Sequence, residues 1–162
     1  MHPHIRWMIR RDMPEILAIE NATSKSPLSE EELVRLSRQR NCVIMVAENS
    51  EDKIVGYMIY ELLKLRVNIL NFTAHPDHAR TRIGTAMMDK LIGKLGHQRR
   101  NRITVNVSET NLSGQLFLRS RGFRAVNILH QHGSEDTYIM MYKHTQPHAQ
   151  LFLYGLNAGL SK

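Results

Sequence analysis

One cysteine stands in 162 residues, so no disulfide can close within the chain, and a reducing, cytoplasmic setting is expected. That residue, Cys42, precedes the strand-like run Val43-Ile44-Met45-Val46 and reads as a small buried hydrophobe rather than a nucleophile. No apolar stretch approaches the roughly 18–20 residues needed to cross a bilayer. The opening residues, Met-His-Pro-His-Ile-Arg-Trp, have no signal-peptide apolar segment, and no membrane partner is expected. Gly-Lys-Ser/Thr, the end of a P-loop, is missing, as is the two-glycine dinucleotide fingerprint. Repeats and low-complexity segments are missing too. Aromatics amount to only 6%, and the densest basic runs, residues 35–40 and 97–102, contain none. That argues against a base-stacking platform, so nucleic acid is not a favoured partner. The histidine pairs His2/His4 and His130/His132 have no third ligand at a fixed spacing, so no metal is expected.

What is present fits a soluble globular domain: 42% hydrophobic and 23% charged residues, in a length that suits one core. A net charge of +7 favours an anionic partner such as a nucleotide-like cofactor or an acidic substrate. Periodicity alternates between strand and helix. Strands are expected over 5–10, 42–48, 53–62, 66–74, 101–107, 123–130 and 136–143. Asp12 is expected to cap a first helix carrying Pro14 in its opening turn, and Ser29, followed by Glu31 and Glu32, a second. A third helix runs on from Gly84, and a fourth starts at Thr110 or Asn111 and ends at Arg121-Gly122. Residues 1–144 form the domain. The stretch 145–162, with Leu151, Phe152, Leu153, Tyr154, Leu156 and Leu160, reads as an apolar tail strapped to the body, with self-association into a homodimer as the alternative.

The most informative segment is 70–88. Ile69, Leu70 and Phe72 form an apolar strand that reaches Pro76, which has no donor to continue a central strand. A basic loop with Arg80 and Arg82 follows, and Gly84 opens a run with helical spacing (Ile83, Ala86, Met87, Leu91). Unpaired helix-start N–H groups, the positive end of the dipole and a glycine that lets a ligand approach are the parts of a phosphate site. Two arginines would add charge-assisted bonds.

The element order and local motifs resemble the GNAT-type N-acetyltransferases over residues 5–143, nearest to the ribosomal-protein-alanine (RimI-type) branch. The matching stretches are Asn71-Phe72-Thr73-Ala74-His75-Pro76, then Ile83-Gly84-Thr85-Ala86, Asn111 seven residues before Leu118, Gly122-Phe123, and Glu135-Asp136-Thr137-Tyr138-Ile139-Met140. The resemblance implies an α/β fold with a mixed, mostly antiparallel sheet flanked by helices, its two parallel central strands splayed apart. It implies acetyl transfer from acetyl-CoA, as co-substrate, to a primary amine, most plausibly a protein N-terminus. An acyl-CoA-binding protein with weak turnover and a small-molecule acetyltransferase are the alternatives. By resemblance, Phe72, Thr73 and Ala74 pair with the pantetheine arm. Arg80, Thr81, Arg82, Ile83, Gly84 and Thr85 cradle the pyrophosphate, and Asn111 bonds the arm.

Two departures accompany these matches. The family's loop, Gln/Arg-x-x-Gly-x-Gly/Ala, has Ala79 and Arg82 at its first position and first glycine here. The branch's general base, a glutamate, and general acid, a tyrosine, fall on Asn106 and Leu118. Asn106 with an ordered water, Glu109 and Tyr138 are then the catalytic candidates; His75 reads as a plain loop residue. Acceptor choice is expected to lie with the loop 23–28, the 129–136 hairpin and the C-terminal tail.

Overall fold

The computed structural model describes residues 2–75, 82–96 and 98–145. Seven strands form one sheet: β1 (His4–Trp7), β2 (Cys42–Glu48), β3 (Ile54–Leu62), β4 (Arg66–Ala74), β5 (Arg102–Ser108), β6 (Arg124–Leu129) and β7 (Thr137–Lys143). Their spatial order is β1-β2-β3-β4-β5-β7-β6. Every neighbouring pair is antiparallel except the central one, β4 with β5. The fold is the mixed, mostly antiparallel α/β architecture expected from the sequence. The apolar tail expected over 145–162 lies, apart from Thr145, outside the described residues.

Alternating side chains give the sheet two apolar faces, each covered by helices. Helix α1 (Met13–Thr23) and α2 (Glu30–Arg38) bury Ile16, Ile19, Leu33 and Leu36 against Ile44, Val46, Tyr57 and Ile59. On the opposite face α3 (Ile83–Ile92) and α4 (Leu112–Ser120) bring Ile83, Met87, Met88, Leu91 and Leu118 onto Met45, Met58, Val105, Val107 and Met140. Ser29 and Glu32 form a reciprocal capping box: the Ser29 hydroxyl accepts from the Glu32 N–H at 3.1 Å, and the Glu32 carboxylate from the Ser29 N–H at 2.9 Å. Gly122, at φ 92°, takes the left-handed position that ends α4. Cys42 is half-buried, its thiol pushed up by burial, which suits a packing role.

The first helix departs from expectation. Asp12 does not cap α1; it ends a 3-10 turn (Arg10–Asp12). Its carboxylate instead accepts from the Ile9 N–H at 2.8 Å and from both terminal nitrogens of Arg6, at 2.7 and 2.9 Å. Arg6 also donates to Glu48 on β2 at 2.7 Å. A bidentate arginine outcompetes a helix N–H for the carboxylate, and β1 accordingly stops at Trp7 rather than reaching residue 10. Burial alone would raise the Asp12 carboxyl, but Arg6 and the Ile9 N–H more than offset it and hold it below the usual range.

Removing a carboxylate that is only 3% exposed leaves Arg6 with half its counter-charge. Asp12→Ala is expected to cost about 3 kcal/mol in urea denaturation at neutral pH. Because the folded-state value is depressed, this stabilisation is complete above the ordinary carboxylate range and fades as pH falls through the folded value. The Asp12→Asn protein should lose that acid-dependent component; an unchanged acid transition would contradict the assignment.

Candidate active site

The β4–β5 ladder runs from Arg66↔Arg102 to Ile69↔Val105 and stops there. At the same level β4 carries one extra residue. Ile59 pairs with Asn71 and Tyr60 with Ile69, so Leu70 has no opposite number on β3. A bulge bends its strand and increases the local twist. Beyond it, β4 follows β3 to Ala74, whereas β5 follows β7 through Asn106, Val107 and Ser108. Two parallel strands therefore part, leaving facing backbone edges that do not bond each other. Such groups require partners, and an extended amide-bearing ligand supplies them in the geometry of an added strand.

Immediately beside this opening, α3 begins. Its N-cap residue is Arg82, and among the described residues no side chain caps it; a guanidinium has no acceptor to offer. The first-turn N–H groups of Ile83, Gly84 and Thr85 thus keep the anion-binding capacity of a helix start. Neither backbone conformation nor packing requires the glycine at 84. Its φ is not positive, and an added Cβ would meet Phe117 and Phe72 only at ordinary contact distances, 3.5 and 3.6 Å. Phe72 and Phe117, with ring centroids 5.7 Å apart, wedge α4 against the same opening. Gly56 on β3 is different. A Cβ there would come within 2.8 Å of Met87, 3.0 Å of Ile83 and 3.2 Å of the Thr73 carbonyl, so its bare backbone is what lets α3 sit close to β4.

Of the expected cofactor residues, Phe72, Thr73 and Ala74 end β4, Arg82, Ile83, Gly84 and Thr85 start α3 beside them, and Asn111 lies in the turn before α4. Arg80 and Thr81 lie outside the described residues. Asn111 caps α4, its Oδ1 accepting from the Gly114 N–H at 3.0 Å, and among the described residues its amide nitrogen has no acceptor.

The catalytic candidates are not brought to one point. Asn106 is exposed and is the first β5 residue past the last β4–β5 pair, directed to the α1–α2 face. Glu109 closes a loop onto the β6–β7 hairpin, accepting from the Asp136 N–H at 3.1 Å. Tyr138 pairs with Val107 and so faces the α3–α4 side. It lines a cavity of about 570 Å³ between α4 and β6–β7, together with Gln115, Arg119, Phe123 and Met140. Leu118 is buried in the core. Near Asn106, the Ser108 and Thr110 hydroxyls donate to Glu135 at 2.6 and 2.9 Å and hold its carboxyl below the usual range. Lys25, between α1 and α2, approaches the same carboxylate at 3.9 Å.

Composition and spacing did not single out one further group. Glu20, in the last turn of α1, is 4% exposed and Tyr57, on β3, is 0% exposed. The Tyr57 hydroxyl donates to Glu20 Oε2, and the Leu28 N–H donates to Oε1 at 3.2 Å. Burial first and the Glu20 carboxylate second push the Tyr57 hydroxyl well above the usual phenol range. A signal existed: Glu20 follows Ile16 by four residues, which places an acid on the apolar stripe of its helix.

Comparison with known proteins agrees with this geometry. Residues 5–123 match the sequence model of the acetyltransferase (GNAT) family, and the chain belongs to that family. No curated protein matches it by sequence. Among solved structures it is similar to the ribosomal-protein-S18-alanine N-acetyltransferase of Escherichia coli, at 19% identity and TM-score 0.79, over 89% of this chain and 95% of that one. It is similar also to Ard1 of Thermoplasma volcanium, at 18% identity and TM-score 0.81, over 90% of this chain and 100% of that one. NAA60 of Arabidopsis thaliana, in complex with a bisubstrate analogue, aligns at 14% identity and TM-score 0.78, over 88% and 98% of the two chains. No helix among the described residues is long and apolar enough to cross a membrane.

Gly56→Ala tests how the site is assembled. The methyl must push α3 outward, which is expected to cost about 1–3 kcal/mol and to weaken acetyl-CoA binding. Thermal melts and calorimetry would measure the two effects. A variant with unaltered stability and affinity would show that the close approach of α3 is not needed.

Proposed function

We propose that this GNAT N-acetyltransferase moves the acetyl group of acetyl-CoA to the α-amine of a protein or peptide N-terminus. The parted β4–β5 edges beside an uncapped helix start carry the reading. They offer amide partners and an anion site in the order in which a pantetheine arm and a pyrophosphate follow one another. Phe72, Thr73 and Ala74 pair with the arm, and Asn111 bonds it from the far side. Arg80, Thr81, Arg82, Ile83, Gly84 and Thr85 hold the pyrophosphate, with the Arg82 guanidinium standing where the family pattern has a glycine. A cytoplasmic location goes with this reading. The names of the neighbours support a protein acceptor, and the Arabidopsis protein has also been crystallised with acetyl-CoA. The homodimer considered from the tail draws no support from the comparisons.

The reaction needs an uncharged amine. Its lone pair attacks the thioester carbonyl, the C–S bond breaks, and coenzyme A leaves as thiol once the nitrogen has given up its proton. With Asn106 and Leu118 at the family's base and acid positions, we assign the first proton to a water held by Asn106. Glu109 and Tyr138 stand second, since Glu109 is engaged by Asp136 and Tyr138 faces the other side of the sheet. An α-amine, with a pKa of about 7.7–8.0, is partly neutral at physiological pH, whereas a lysine at about 10.4 is not. Positioning alone lowers such barriers by several kcal/mol.

Gly84→Ala separates ligand binding from folding. It should stabilise the protein by about 0.5–1 kcal/mol while weakening acetyl-CoA about tenfold or more in calorimetry. Stability and affinity rising together would count against the pyrophosphate assignment. The acetylation rate of an N-terminal peptide, followed by mass spectrometry, should climb about tenfold per pH unit up to roughly pH 8 and then level. A plateau reached well below pH 7 would mean that a protein carboxylate takes the proton.

A further inference from the structure

Two of the segments expected to choose the acceptor meet at one ion pair. Lys25, in the α1–α2 connection, brings its ammonium to 3.9 Å from Glu135 Oε1, just before β7. The two oxygens of that carboxylate have different partners. Oε2 accepts from the Ser108 hydroxyl at 2.6 Å and from the Thr110 hydroxyl at 2.9 Å. Among the described residues Oε1 has only Lys25, whose side chain is 91% exposed and whose ammonium stands beyond hydrogen-bond length. Two hydroxyls from the end of β5 and the turn after it thus fix the carboxylate. They leave one oxygen facing the gap between the hairpin and the α1–α2 connection. Glu109 and Asp136 are engaged within the rim itself: Glu109 accepts from the Asp136 N–H at 3.1 Å, and Asp136 Oδ2 lies 2.9 Å from His130 Nδ1.

Ser108 follows Asn106 by two residues on β5, so the two side chains share a face and stand about 7 Å apart along the strand. That face is the α1–α2 side, because Val105 and Val107 pack into the core on the other. The free oxygen of Glu135 is therefore one long side chain away from Asn106. We propose that Glu135 Oε1 binds the cationic side chain of a lysine or arginine just after the acceptor's N-terminus, at its second or third residue. Lys25 is the exchangeable cation that faces this oxygen beforehand. The assignment rests on the acetyl-transfer reading above, which puts the attacking amine at Asn106. A chain with a net charge of +7 disfavours a basic acceptor at long range, and a fixed carboxylate reverses the sign where the acceptor begins. The two hydroxyls also hold the Glu135 carboxyl below its usual range and so keep it charged. An incoming ammonium or guanidinium makes a direct charge-assisted bond, which Lys25 at 3.9 Å does not. Displacing so exposed a pair costs little.

The test uses the full chain and pairs of N-terminal peptides that differ only in lysine or norleucine, at position 2 or at position 3. At one of these positions the wild-type protein should favour lysine about five- to tenfold in kcat/KM at low salt. Added salt should shrink that ratio. Glu135→Gln keeps an acceptor for the two hydroxyls and should bring the ratio to about one, with acetyl-CoA affinity within about twofold of wild type. Lys25→Ala removes the competing cation and should raise the ratio about twofold, through KM. A wild-type protein without preference at either position would overturn the proposal. So would a ratio that survives in Glu135→Gln, an equal loss on both peptides of a pair, or a ratio that fails to rise in Lys25→Ala. A wild-type protein that binds acetyl-CoA but acetylates no peptide would instead overturn the functional reading, and this assignment with it.

Discussion

One surplus residue in β4 decides the shape of the site. Leu70 has no partner on β3, and the β4–β5 ladder ends one residue earlier, at Ile69. An uninterrupted parallel ladder would satisfy its backbone groups internally and leave nothing for a ligand to bond. The bulge instead sends the two strands to different neighbours. The resulting vacancy is stable because each strand keeps its antiparallel partner on the other side. The sheet is not weakened as a whole; it gives up a few hydrogen bonds at its centre, where an extended substrate can replace them.

The elements around the opening carry local costs of the same kind. A glycine in the first turn of α3 costs up to about 1 kcal/mol against alanine, and an arginine at the N-cap offers no acceptor to the helix. These choices contrast with α2, where Ser29 and Glu32 cap one another. The chain thus caps α2, which covers the sheet, with a reciprocal pair, and gives α3, whose start faces the opening, an N-cap residue with no acceptor. Such local departures from foldability are expected at functional sites. The fold compensates through a core that buries Met87, Met88 and Leu91 completely, which holds α3 in place without a cap.

Most of the architecture was legible in the sequence, because strand alternation, the Ser29 cap and the Gly122 stop are signals of short range. The start of α3 at Ile83 was legible for the same reason, Gly84 and the helical spacing after it being local signals. Asp12 was misread because its partner, Arg6, lies on a strand whose side-chain direction depends on pairing with β2, a tertiary fact. The bulge at Leu70 was hidden as well, since an extra residue in a strand is defined only by the strand opposite. Glu20 and Tyr57 are far apart in sequence and come from two elements, so no spacing rule could join them. What could be seen was the anomaly of Glu20 alone, an acid on an apolar helix stripe.

That anomaly bears on what ties α1 to the sheet beside the opening. A buried carboxylate is costly unless its hydrogen bonds are made, and Glu20 makes them with a phenol hydroxyl and a backbone N–H. Two apolar side chains of similar volume would fill the same space. An acceptor beside Tyr57 does something an apolar pair cannot: it fixes the direction of one O–H in the core, and by accepting the Leu28 N–H as well it ties the α1–α2 connection to β3.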